Sequence, residues 1–306
     1  MKKKPNLTGT LPLISCFLLL CLTGPLFAGD LLLEFLDGTL EIKESSEWME
    51  AAIGDSIPEN ATVRLGDSSY AELSPENGPG HGRITITLSQ PGTYHLAELL
   101  DTSSRLADLG IGSRLTMQLQ SRLATRPEKG TTIMGVRGEV QDADIRIGDE
   151  GKELLQAGID LMYESRYEEA LSVFEEAIDL VNEEQEGLVS FYTANTYALM
   201  DRPMRALQVL ERASPKPRSP VYNEHILLQG KLLIESFAYL KALDWLDTYH
   251  VRSADPATLQ MVYLLKALAY SGLRNEDSMK QALRAVLEMD PRSETARLAE
   301  DLLKSR

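Results

Sequence analysis

Two Gly-Asp-Ser runs, Gly54-Asp55-Ser56 and Gly66-Asp67-Ser68, and the pair Asp247-x-x-His250 are the residues of this 306-residue chain that could carry nucleophilic chemistry. A serine at a sharp turn becomes a nucleophile only when a histidine takes its proton and an acid orients that histidine. Both serine runs fall in stretches of turn character, where glycine and aspartate are favoured by backbone geometry alone. Asp247 and His250 lie at the end of a helical segment in the other half of the chain. The four histidines, His81, His95, His225 and His250, never reach ligand spacing, so no metal site is expected. There is no phosphate loop and no dinucleotide fingerprint, and no cofactor is expected. The chain reads as a non-enzyme.

Thiol chemistry is limited by where the cysteines sit. Lys2, Lys3 and Lys4, the apolar run Leu11 to Leu22, and the small residue Ala28 before Gly29 have the form of a secretory signal peptide over residues 1–28. Cleavage after Ala28 removes Cys16 and Cys21, the two cysteines of the chain, and leaves a mature protein suited to an oxidising compartment without disulfides. Lipidation at Cys16 or Cys21 is the alternative, and it would tether the protein to a membrane. Against it, Leu20 before Cys21 is not small, and the apolar run ahead of Cys16 is short.

Net charge restricts the partners. The formal charge is −15 and becomes −18 when the three lysines leave. That balance argues against nucleic acid or an anionic lipid surface. The stretch from Gly151 to Gly187 is the most acidic, with 11 acidic and 2 basic residues, and reads as a solvated helix face or a docking edge for a basic partner.

The elements that would position any site divide at about residue 148. From Leu154 to Leu180 apolar residues recur at helical spacing, giving two short amphipathic segments. Gly158, Ala170 and Ala177 are small enough for two helix backbones to approach, and Phe174 fills the wedge. The same positions recur 36 residues on at Ala194, Ala206, Leu210 and Ala213, another 36 on at Gly230, Ala242, Leu246 and Tyr249, and 37 further at Ala267, Met279, Leu283 and Val286. Ser293 then starts a last helix with Glu294 in its first turn and Lys304 near its end, the charge order that suits a helix dipole. This pattern resembles the tetratricopeptide repeat, with Leu154 in place of the family's first aromatic. The resemblance implies an all-α solenoid over residues 149–306, four helix-turn-helix repeats and a capping helix. It also implies a concave groove lined by Leu155, Ile159, Met162, Phe191, Asn195, Leu199, Leu227, Lys231 and Ile234, suited to an extended or helical peptide segment.

Before residue 148 the period changes to two. Short strands are expected at Leu31 to Leu36, Thr39 to Lys43, Ala61 to Leu65, Tyr70 to Leu73, Ile84 to Leu88 and Thr93 to Leu96, with Asp37-Gly38 as a hairpin turn. Their spacing argues an all-β antiparallel sandwich or barrel-like sheet, with a helical insertion over residues 97–125. Trp48, Gly54-Asp55, Val63-Arg64, Ala71 to Leu73 and Val136-Arg137-Gly138 together resemble the FecR-like periplasmic domain, here over residues 29–148. Two departures stand out: Glu139 follows Val136-Arg137-Gly138 where the family has threonine, and the helical stretch Ala97 to Thr125 interrupts the sheet before its last strand. The family's regulators also carry a cytoplasmic segment and a membrane helix ahead of this domain, where this chain has a signal peptide. A direct sigma-factor regulator is therefore not expected, and Arg137 reads as a structural cation.

The combined expectation is an exported protein-interaction adaptor of a bacterial cell envelope that binds envelope proteins in its repeat groove. Ligand sensing by the β domain with relay through the repeats, or binding of peptidoglycan, are the alternatives. The two halves, joined by the polar run Gln141 to Lys152, are expected to fold separately. In the second repeat Ala206 should be buried and its neighbour Arg205 outward.

Overall fold

Alternating leucines give the N-terminal half its sheets. In the computed structural model, which describes residues 30–75, 85–108, 147–213, 215–249 and 255–304, eight strands form two antiparallel sheets. One sheet has β4 (Ser56–Pro58), β1 (Asp30–Asp37), β6 (Tyr70–Pro75) and β7 (Ile86–Leu88) in that order. The other has β3 (Glu47–Glu50), β2 (Leu40–Glu44), β5 (Thr62–Leu65) and β8 (Gly92–His95). Leu31, Leu33, Leu73, Ile86 and Leu88 of the first sheet and Leu40, Val63 and Leu65 of the second share one buried core. A bulge between Leu33 and Phe35 shifts the β1–β6 register. Helix α1 (Leu96–Asp108) closes this half and drops Leu96 into the core. The remainder of the insertion expected over 97–125 lies outside the described residues, as do the signal peptide with Cys16 and Cys21, and Val136, Arg137 and Gly138.

Asp37-Gly38 is not a hairpin. β1 and β2 belong to different sheets, so the turn is a corner between them. Gly38 takes φ +95, and a side chain there would overlap Ser69, whose Oγ accepts from Thr39 N at 2.9 Å. The hairpin is β2–β3, turning at Ser45 (φ 55). Strand β3 was not legible because it lies at a sheet edge with only Trp48 partly covered, so its sequence has no apolar alternation.

The C-terminal half is an array of helix pairs. They are α2 (Ile147–Tyr163) with α3 (Tyr167–Ile178), α4 (Glu183–Leu199) with α5 (Pro203–Arg212), α6 (Tyr222–Glu235) with α7 (Tyr239–Asp247), and α8 (Pro256–Gly272) with α9 (Glu276–Met289). Helix α10 (Glu294–Lys304) packs against α9, and Ser293 Oγ caps its start by accepting from Ala296 N at 2.9 Å. The expected small and wedge positions are where the pairs meet. Ala170, Phe174, Ala177, Ala194, Ala206, Ala242 and Ala267 are all buried, and a methyl on Gly158 would overlap the Phe174 ring. Ala213 differs: α5 ends at Arg212, and Ala213 is an extended, half-buried residue after it.

Each pair turns in the same way. Ser165, Asp201, Phe237 and Arg274 all have φ between 56 and 62, at steps of 36, 36 and 37 residues. After each, a backbone N–H reaches five residues back: Arg166 to Leu161, Arg202 to Tyr197, Ala238 to Leu233 and Asn275 to Tyr270, at 2.9–3.0 Å. These are Schellman closures, which satisfy carbonyls that the helix end would leave unpaired. The repeat is thus marked in backbone conformation as well as in composition.

Ala206 is fully buried, and Arg205 is exposed with its guanidinium over the Phe35 and Tyr197 rings at 5.8 and 6.0 Å. Ala206→Leu is expected to cost roughly 1–3 kcal/mol by overpacking. Arg205→Leu is expected to cost about 0.5–1 kcal/mol, since it removes only these exposed ring contacts. A urea titration showing the reverse order would disprove this phase for α5.

Candidate functional site

The groove positions form the seam between neighbouring first helices. Leu155, Ile159, Met162, Phe191, Asn195, Leu227 and Ile234 are buried, which corrects the expectation that they line an open groove. The reason is that each first helix packs on its own partner and on the neighbouring pair. Asn195 Nδ2 donates to Met162 Sδ at 3.5 Å across the first seam, and the Phe191 ring meets His225 of the next repeat at 6.4 Å. Leu199 and Lys231 keep partial exposure, with Lys231 Nζ 2.7 Å from Glu235 Oε2. Any groove contact from the predicted set would come from these two.

The described chemistry-bearing residues do not assemble. Asp55 Oδ2 accepts from Ala52 N at 2.8 Å, holding the turn in which Gly54 has φ +97. Ser56 opens β4, and Ser68 sits in a turn at φ 51. Asp247 pairs with Lys266 in the repeat array, and His250 lies outside the described residues. No nucleophile–base pair forms among those that the structure describes. On the outer face of the second sheet, Arg64 stacks over Trp48 at 4.4 Å and pairs with Glu41 at 2.6 Å, which holds the Glu41 carboxyl below the usual range. Trp48 is therefore a structural platform for its neighbours.

The most developed polar assembly is at the junction of the halves, and it was not anticipated. Tyr70, Glu72, Thr87 and Ser89 alternate with the core residues of β6 and β7, a pattern that ordinarily marks a solvent face. Here that face is covered by the repeats. Ser89 Oγ and Ser236 Oγ are 2.7 Å apart and buried, and Thr87 Oγ1 donates to Glu235 O at 2.9 Å. Tyr70 Oη donates to Glu211, which also takes Lys241. Phe237, the left-handed turn residue of the third repeat, packs against the β core, and Phe35 and Tyr70 pack against the helical core. An apolar Phe237 in a turn where the other copies carry Ser165, Asp201 and Arg274 was the one sequence signal available.

Glu72 joins the two halves through a helix terminus. Helix α5 has no side-chain cap of its own, and Glu72 Oε1 accepts from Met204 N at 2.7 Å in its first turn. Burial pushes the Glu72 carboxyl up, the Met204 N–H pulls it down, the Asp201 and Glu34 carboxylates push it further up, and the Arg205 guanidinium opposes them. A carboxyl raised on folding stabilises the fold when protonated and loses that contribution as pH rises through its folded value. Glu72→Ala is expected to cost about 1–2 kcal/mol at neutral pH through loss of the cap. Glu72→Gln keeps an acceptor and removes the desolvated charge, so its stability at pH 7 should equal or exceed the parent's. Thermal melts of both variants across pH 5 to 8 check this.

The assembly defines a class: a two-sheet β domain docked on an array of helix pairs. Residues 262–293, the fourth pair, match the family described as tetratricopeptide repeat. Among solved structures, one described as "MamA RS-1 ArsTM double mutant" aligns at 21% identity and a TM-score of 0.41, over 52% of this chain and 93% of that one. No curated protein matches the chain. Repeats of the matched family are typically protein-interaction modules, which suggests an adaptor role.

Proposed function

We propose that this protein is an exported, non-enzymatic adaptor of a bacterial cell envelope whose repeats hold segments of partner proteins. The observation that carries the reading is the fourfold helix-pair array, with its recurring Schellman turns and its family match at 262–293. Export rests on the signal-peptide form of residues 1–28. Intact-mass measurement of protein from the native envelope is expected to give Gly29 as the first residue, and a diacylglycerol adduct on Cys16 or Cys21 would replace this with the tethered alternative. For partner binding, affinity capture from envelope extract with the chain from Gly29 is compared with Leu199→Glu and Lys231→Glu. Loss of the same captured proteins in both folded variants supports binding along the first helices, and unchanged capture sinks it. Sedimentation with purified peptidoglycan tests the glycan alternative.

A second reading is favoured by the hydrogen-bonded junction. The β domain contacts the turns of the second and third repeats, and in this reading a ligand-induced shift in it would pass to the array. Sequence resemblance alone supports the FecR-like assignment.

A further inference from the structure

We infer that the cleft at the domain junction binds a small zwitterion, an amino acid or short peptide with a free ammonium and a free carboxylate. The cleft holds about 440 Å³, within the range of small-molecule sites. One wall is the outer face of β1 and β6, and the other is the turn and first residues of the second repeat's second helix. Its walls bring Glu34, Glu72 and Asp201 together with Arg202 and Arg205.

Three features separate this cleft from ordinary surface charge. Glu72 is only 8% exposed, and what remains of it faces the cleft. Its Oε1 is occupied by Met204 N–H, and its second carboxylate oxygen has no hydrogen-bond partner among the described residues. A desolvated carboxylate with a spare oxygen is stabilised by a cation that brings its own N–H donors. Next, the opposite charges make no close pair: among the described residues, Glu34, Asp201, Arg202 and Arg205 form no ion pair, and Arg205 acts on Glu72 only through space. Finally, the Arg205 guanidinium lies over the Phe35 and Tyr197 rings at 5.8 and 6.0 Å and donates to no acceptor among the described residues, so its N–H fork can meet a carboxylate. An ammonium at the Glu72 end and a carboxylate at the arginine end match this layout. A simple cation would leave the guanidiniums unmet, and a simple anion would face three carboxylates.

The test uses the chain from Gly29 in isothermal titration against each standard amino acid and its homodipeptide. The best binder is then remade as its N-acetyl and its C-amide derivative. Saturable binding by at least one probe is expected, weakened about tenfold or more by either modification. Glu72→Gln and Asp201→Asn should weaken it comparably without lowering the melting temperature, since Gln keeps the Met204 acceptor and Asn tolerates the left-handed turn at Asp201. No saturable probe, equal binding of the capped derivatives, or unchanged binding in both variants would each overturn the inference. It does not depend on the adaptor reading, because partner capture and small-molecule titration can succeed or fail separately.

Discussion

Phe174→Ala is expected to destabilise the repeat array by about 3–5 kcal/mol, the cost of emptying a large aromatic site in a packed core. The ring is 1% exposed, lies over Gly158 of its own pair and stacks on Tyr192 of the next at 6.4 Å. Its loss therefore opens both the first pair and the seam to the second. Gly158→Ala offers a matched test. A methyl at that position overlaps the ring, so the single variant should lose about 1–3 kcal/mol despite alanine's better helix propensity. In the Phe174→Ala background the methyl enters vacated space, and the same change should become neutral or stabilising. Strictly additive effects in urea titration would show that the ring does not rest on Gly158.

Acid should destabilise the protein through one histidine. His225 is fully buried between the Phe191 and Trp245 rings, and among the described residues neither of its nitrogens makes a hydrogen bond of good geometry, the Gln229 side chain being only nearby. Burial lowers its pKa from 6.5 to about 4, with the nearby Gln229 side chain opposing the shift. A base whose folded pKa is depressed contributes full stability above its unfolded pKa and loses it as pH falls towards the folded value. Between pH 6.5 and 4 the loss is roughly 3 kcal/mol, about 2 of it by pH 5. Glu72 works in the opposite direction, since its raised carboxyl favours the folded state on acidification. His225→Leu removes the histidine component and relieves two unpaired polar atoms. Its stability at pH 7 should match or exceed the parent's, and the gap should widen by about 2 kcal/mol at pH 5. An unchanged pH profile in the variant would show that His225 is not held neutral.

The junction also bears on whether the halves fold apart. A fragment beginning at Gly148 is expected to be helical, because the packing that holds Ala170, Phe174 and Ala206 lies within the array. It would expose Phe237 and leave Met204 N without its Glu72 acceptor.

Features that repeat locally are legible in the sequence alone. The 36-residue recurrence of small and wedge residues located the helix pairs, because a helix has to place such residues on one face every three or four positions. Ser293 located the capping helix, and the leucines of β1 and β6 located the sheet core. Tertiary structure decided which faces are covered. The apolar first-helix positions Leu155, Phe191 and Leu227 were legible as one stripe, but periodicity does not say whether a stripe meets a partner or the next repeat. Asp37-Gly38 has turn chemistry that serves a hairpin or a corner equally, and only the pairing of β1 with β4 and β6 chose the corner. Glu72, Thr87 and Ser89 alternate as a solvent face would. They are buried because helix ends, with unpaired N–H and C=O groups, can satisfy a polar sheet face as water does.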